Sequence, residues 1–154
     1  MKITELWLKE KSACFDGIKW FKAQKETEAI PVLRALLKDQ KFQWANWAIC
    51  RIMTKPHCVR YAIFAALEVL FIYEKKYPYD KRPRQAIEAA QKWLDNPTSN
   101  AAADAADAAA ADAAAAAATA ADAYAAYAAD AAARKKLQIK ILEYGISLLK
   151  GESQ

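Results

Sequence analysis

The sequence contains little glycine and a single histidine: among 154 residues there are three Gly, and His57 is the one His. So little glycine leaves no glycine-rich loop of the kind that cradles phosphates. The three cysteines, Cys14, Cys50 and Cys58, form no Cys-x-x-Cys pair, and no His pair joins them as a zinc site would need. Their odd number and irregular spacing exclude a disulfide framework. We therefore expect no metal, no cofactor, and reduced thiols in a cytoplasmic protein.

We also expect neither a signal peptide nor a membrane-spanning helix. The first eleven residues, MKITELWLKEK, are charged throughout and unlike a signal peptide. The longest bulky apolar run, Tyr61 to Tyr73, has 13 residues and is interrupted by Glu68. Because such a run is too short to cross a bilayer, we predict no membrane contact.

Charge is unevenly distributed along the chain. Residues 1–97 hold 18 Lys and Arg against 11 Asp and Glu, residues 98–133 hold five Asp as their only charges, and residues 134–154 hold five Lys and Arg against two Glu. We interpret residues 1–154 as one domain with a basic helical body (1–97), an Ala/Asp-rich element (98–133) and a C-terminal helix (134–154). The basic excess permits a nucleic-acid or acidic protein partner but requires neither.

No window alternates apolar and polar residues with a two-residue period, so the sequence predicts an all-α fold. Apolar residues at helical spacing indicate a compact bundle or helical-repeat-like array of about six to eight helices. The tract 101–133 contains 25 Ala, five Asp, two Tyr and one Thr, and Ala is the strongest helix former. We predict close-packed Ala-rich helices there. Whether the tract forms one helix or two stays open.

Five residues are candidates for binding a partner or for fixing the turns that present a surface. Asp16 suits the N-cap of a helix from Gly17 onward, and that helix would turn Trp20 inward. Asp80, Arg82 and Arg84 lie in a segment of prolines, aromatics and cations before another helix, and arginine binds carboxylate or phosphate with two parallel hydrogen bonds. A purely structural turn, with Arg84 pairing Glu88, is the alternative.

Glu68 is an acid within an apolar helix, and a buried carboxylate needs a partner or a raised pKa. Arg51 and Arg84 are the candidate partners, and we predict a pair of Glu68 with Arg51. The structural interpretation is a buried ion pair; the functional one is a small-ligand or enzyme site around Glu68 and the Arg82/Arg84 cluster. No nucleophile–base set is evident, so we predict no catalytic residues and no enzyme.

Several motifs together resemble one bacterial family. They are Ala13-Cys14-Phe15-Asp16-Gly17 with Trp20-Phe21, Trp44-Ala45-Asn46-Trp47, the long helix from Tyr61 to Tyr77, YPYDKRPRQAIEAAQKW with the Ala/Asp/Tyr tract behind it, and the tail ILEYGISLL. This pattern resembles the immunity-protein-five-like group of polymorphic toxin systems, over nearly the whole chain. The most specific piece is the segment from Tyr77 to Trp93.

The resemblance implies a bacterial immunity protein, or antitoxin, that binds and occludes a cognate protein toxin without catalysis. It implies no cofactor. A nucleic-acid-binding helical protein is the second hypothesis, and the site around Glu68 is the third. The sequence leaves the toxin and the oligomeric state open.

Overall fold

The computed structural model describes residues 1–96 and 131–151, and the helices in those ranges confirm the all-α prediction. They are α1 (Glu5–Glu10), α2 (Phe15–Lys22), α3 (Ala29–Lys38), α4 (Phe42–Ile52), α5 (Lys55–Lys76), α6 (Arg82–Asp95) and α7 (Ala131–Leu149). The predictions for the Ala-rich tract up to residue 130 lie outside the described residues. Ala131 to Ala133, its last three residues, form the start of α7.

Contacts divide the chain into two compact units. The first comprises Met1–Met53 with Gly145–Gln154, and the second comprises Thr54–Tyr144. We call them the N-terminal unit and the central unit. Helix α7 contributes residues up to Tyr144 to the central unit and the rest to the N-terminal unit. That the whole chain forms one domain stays a prediction.

Successive helices pack in pairs within the N-terminal unit, α1 with α2 and α3 with α4. The chain start is tied to the start of α3, because Ile3 donates its backbone N–H to the carbonyl of Thr27 at 2.8 Å. Apolar spacing along α3 and α4 places one stripe of each helix inside. The buried apolar residues of this unit are Ile3, Leu8, Ala29, Val32, Leu33, Leu36, Ala45, Ala48, Ile49, Met53, Ile146 and Leu148.

In the central unit, α5 packs on α6. The core cluster between them consists of Val59, Ile63, Ala66, Val69, Leu70, Ile87 and Ala90, with Leu137 of α7 packed against it. Leu67 and Phe71 of α5 are exposed, so this helix is not buried on all sides although it is apolar nearly all round. By length and composition alone α5 could cross a membrane, a property that it shares with core helices of soluble proteins.

Two helix ends in the N-terminal unit use a non-glycine residue where glycine is favoured. Ser12 after α1 and Gln40 after α3 have φ of 59° and 56°. After α3, Gln40 donates its N–H to the carbonyl of Leu37 and Lys41 donates to that of Leu36, the paired bonds of a Schellman motif. The left-handed conformation is unfavourable for a residue with a Cβ.

Replacing Gln40 with glycine is therefore expected to stabilise the protein by about 0.5–1 kcal/mol, since glycine adopts this conformation without strain. Denaturant unfolding would measure the change. The matched control is Gln91→Gly in the exposed face of α6, where glycine should cost about 1 kcal/mol. Equal destabilisation by both variants would contradict the assignment of strain to Gln40.

Candidate functional site

The segment joining α5 to α6 forms a tight turn at the surface of the central unit. The N–H of Asp80 donates to the carbonyl of Tyr77 at 3.1 Å, which closes a four-residue turn. Pro78 occupies the second position, where its fixed φ is favoured, and Tyr79 the third. We call residues 73–84, from the end of α5 to the start of α6, the basic turn.

Asp80 holds the basic turn together. Its Oδ2 accepts a hydrogen bond from the hydroxyl of Tyr73 at 2.7 Å, and its Oδ1 accepts from the backbone N–H of Arg82 at 3.1 Å. The guanidinium of Arg82 adds two further bonds, Nε to Oδ1 at 2.9 Å and Nη2 to Oδ2 at 2.6 Å. One carboxylate therefore connects the end of α5, the turn and the first residue of α6.

These bonds shift the ionisation of their partners. The Arg82 guanidinium and the Tyr73 hydroxyl hold the pKa of Asp80 far below its usual range. The hydrogen bond to Asp80 raises the pKa of Tyr73. A depressed carboxyl pKa stabilises the fold above the unfolded-state pKa of about 3.9, and this contribution is lost as pH falls through the folded-state value. The carboxylate of Asp80 therefore stays charged, and keeps its bonds to Arg82 and Tyr73, well below neutral pH.

Arg84 makes a second clamp between the same two helices. Its Nε and Nη2 donate to the two carboxylate oxygens of Glu74 at 2.7 and 2.8 Å, a bidentate pair. The pair lowers the pKa of Glu74 and raises that of Arg84. The alternative prediction that Arg84 pairs with Glu88 was wrong, because Glu74 on the facing helix end offers both oxygens.

The two clamps leave a distinct set of groups facing solvent. Tyr79 is 96% exposed, and the side chain of Arg82 is 85% exposed while its head group is bound to Asp80. Lys75, Lys76 and Lys81 are also exposed nearby in the sequence. Residues 74–84 hold five Lys and Arg against two acids, a net charge of +3. The basic turn is therefore a fixed, cationic surface that carries an exposed aromatic ring.

Asp16 and Trp20 lie in the N-terminal unit. Asp16 was expected to be the N-cap of α2; that position belongs to Cys14, and Asp16 lies exposed in the first turn of the helix. Trp20 is half-buried, as its predicted inward position requires. It donates its indole N–H to Asp39 at 2.8 Å, and its ring lies edge-on to Trp44. Asp16 and Trp20 therefore belong to a different unit from Asp80, Arg82 and Arg84.

The predicted ion pair of Glu68 with Arg51 was wrong. Glu68 is bound by Lys140 of α7, whose ammonium lies 2.7 and 2.8 Å from the two carboxylate oxygens. Arg51 instead lies over the ring of Trp47, 4.2 Å from its centroid, and donates to the Trp47 carbonyl at 3.3 Å. An Arg one turn after a Trp reaches that ring easily.

Glu68 and the arginines also do not form one site. Glu68 is bound by Lys140, Arg82 by Asp80, and Arg84 by Glu74. No group of three or more His, Cys, Asp or Glu side chains in residues 1–96 and 131–151 is placed to hold a metal ion.

Sequence reasoning missed three residues of the basic turn. Tyr79 was not among the candidate residues, although it directly follows Pro78 and turns lie at the protein surface. Tyr73 and Glu74 gave no signal, because both lie in an apolar helix and reach their partners only when the chain reverses direction at Pro78.

Together these observations define an all-α protein with a rigid, basic surface turn that is suited to binding. The model of the family described as Imm-5 like putative immunity protein matches residues 38–136. This match spans more than half of the chain and includes the whole basic turn, and the chain belongs to that family. Neither a curated protein nor a solved structure matches the chain.

Proposed function

We propose that the protein acts in the bacterial cytoplasm as an immunity protein that binds and occludes a protein toxin, without catalysis of its own. Membership in an immunity-protein family supports the toxin as the class of partner. The observation that carries the binding site is the exposed Tyr79 on a turn that Asp80 fixes.

A fixed turn is favourable for tight binding. Ordering a loop on association costs free energy, and a turn already ordered by Asp80 and by the Arg84–Glu74 pair avoids that cost. Tyr and Arg are the residue types that most often dominate binding energy in protein interfaces. Tyr79 and Arg82 supply one of each on the same turn.

The charge of the basic turn indicates the chemistry of the partner surface. Five cations against two acids in residues 74–84 favour an acidic patch on the toxin. Charge complementarity of this kind speeds association and selects the partner. We therefore expect the complex to form faster at low salt than at high salt.

Nucleic acid is the second candidate, because an exposed Tyr among cations can also stack on a base beside a phosphate backbone. Binding to nucleic acid would weaken steeply with salt and disappear after nuclease treatment. A protein partner would survive nuclease and lose only part of its affinity at high salt.

The full-length tagged protein, its Tyr79→Ala variant and a Phe15→Ala control should each be used to capture partners from cells of the source bacterium. Phe15 is also a highly exposed aromatic residue but belongs to the N-terminal unit. We expect one protein to be retained by the wild type and by Phe15→Ala, to resist nuclease, and to be lost with Tyr79→Ala. The proposal fails if only nuclease-sensitive material is retained, or if Tyr79→Ala captures the same protein equally well.

A further inference from the structure

The N-terminal unit contains an apolar cavity that the basic turn does not involve. Its volume is about 310 Å³, and it is partly open to solvent. Its aromatic walls are Trp20, Phe21, Trp44 and Trp47, and Ser12 and Gln43 supply polar groups. This volume lies at the lower end of the roughly 300–1,000 Å³ that is typical of small-molecule sites.

The lining selects against anionic ligands. None of the fourteen lining residues is Lys, Arg, Asp or Glu. An anion that entered would lose part of its hydration without finding a positive charge in the wall, which is costly. A neutral ligand carries no such penalty, and one or two polar atoms on it could bond to Ser12 or Gln43.

The aromatic walls are held in position by contacts with one another and with residues outside the cavity. The indole N–H of Trp20 is bound to Asp39, and the ring of Trp20 lies edge-on to Trp44 with centroids 6.4 Å apart. Trp47 lies edge-on to Trp7 with centroids 6.0 Å apart and carries the Arg51 guanidinium on its ring. Such fixed rings favour a planar guest, since aromatic rings pack edge-on or offset against one another.

We propose that this cavity binds a small, neutral aromatic molecule of one or two rings. Ten of its fourteen lining residues precede residue 38, where the family match begins. The proposed ligand site is therefore largely separate in sequence from the region that carries the proposed toxin-binding turn, and each can be tested without the other.

Indole is the probe for the test, and its binding can be followed through the tryptophan indole N–H signals in NMR spectra of the full-length protein. We expect saturable shifts of the Trp20, Trp44 and Trp47 signals with a Kd of about 1 mM or tighter. Trp93 lies in the central unit and serves as the internal reference, whose signal should not move. Indole-3-carboxylate, which has the same ring with a negative charge, should bind at least about tenfold more weakly.

A matched pair of variants assigns the binding to the cavity. Ala13 lines the cavity, so Ala13→Leu should fill part of it and weaken indole binding at least about tenfold. Ala23 is exposed at the end of α2 and does not line the cavity, so Ala23→Leu should bind indole like the wild type. Thermal melts of both variants check that each is folded.

Three results would overturn the proposal: no saturable shift of the cavity tryptophans, shifts of Trp93 equal to theirs, or unchanged affinity in a folded Ala13→Leu variant. If indole does not bind but Ala13→Leu abolishes capture of a protein partner, the cavity receives a side chain of that partner and the small-molecule proposal is wrong. Loss of indole binding leaves toxin capture through Tyr79 untouched, so the two proposals fail separately.

Discussion

Tyr79→Ala is expected to weaken toxin binding by about 30-fold or more, which corresponds to about 2 kcal/mol. The ring is 96% exposed on a turn that Asp80 and Arg84 hold in place, so its whole surface is available to the partner. Titration calorimetry of wild type and variant against the captured toxin would measure the loss.

The stability of the same variant should barely change. A side chain so exposed contributes little to folding, and surface substitutions of this kind usually fall within about 0.5 kcal/mol of the wild type. Phe15→Ala removes an equally large exposed ring from the N-terminal unit and should leave toxin affinity unchanged. Equal loss of affinity in both variants would contradict a toxin-binding site at the basic turn, because Phe15 lies outside that turn.

Leu33→Ala is expected to destabilise the protein by about 2–5 kcal/mol. Leu33 of α3 has 0% exposure, so its removal costs both the buried apolar area and the cavity left behind. For a chain of this size the midpoint of thermal unfolding should fall by roughly 5–15 °C. Urea unfolding followed by tryptophan fluorescence would measure the loss, since four of the five tryptophans lie in the N-terminal unit.

Leu6→Ala is the control for that measurement. Leu6 is 66% exposed on α1, and the buried residue of that helix is Leu8. The change at Leu6 should stay within about 0.5 kcal/mol. A loss at Leu6 as large as that at Leu33 would contradict the described packing of the N-terminal unit.

The presence of helices was predictable, because apolar spacing and the positions of proline each indicate helices independently. The stripe that contains Leu33 and Leu36 predicted the inner face of α3, and Pro83 falls in the first turn of α6 as a helix start allows. Helix ends were less predictable. Thr27 is a residue type that often caps helices, but Glu28 takes the N-cap position of α3, and the carbonyl of Thr27 accepts the N–H of Ile3.

Burial along α5 could not be predicted for a related reason. Its apolar residues surround the helix, so no polar stripe indicates which side faces solvent. Leu67 and Phe71 are the exposed members, because the contacts of α5 with α6 and α7 bury other faces of the helix.

The location of the candidate site was predictable from the sequence, but the hydrogen bonds that hold the site together were not. Prolines, aromatics and cations around Asp80 singled out the turn. That Asp80 fixes it through Tyr73 depends on where the end of α5 meets the start of α6. Glu68 illustrates the same limit, because Lys140 is 72 residues away in sequence and many cations were possible partners.

The most direct test of the account is growth rescue. The captured toxin would be expressed in a susceptible bacterium together with the wild-type protein, with Tyr79→Ala or with Phe15→Ala, at equal protein levels. We predict that the wild type and Phe15→Ala restore growth and that Tyr79→Ala does not. Failure of the wild type to protect would contradict an immunity function, and full protection by Tyr79→Ala would contradict binding through the basic turn.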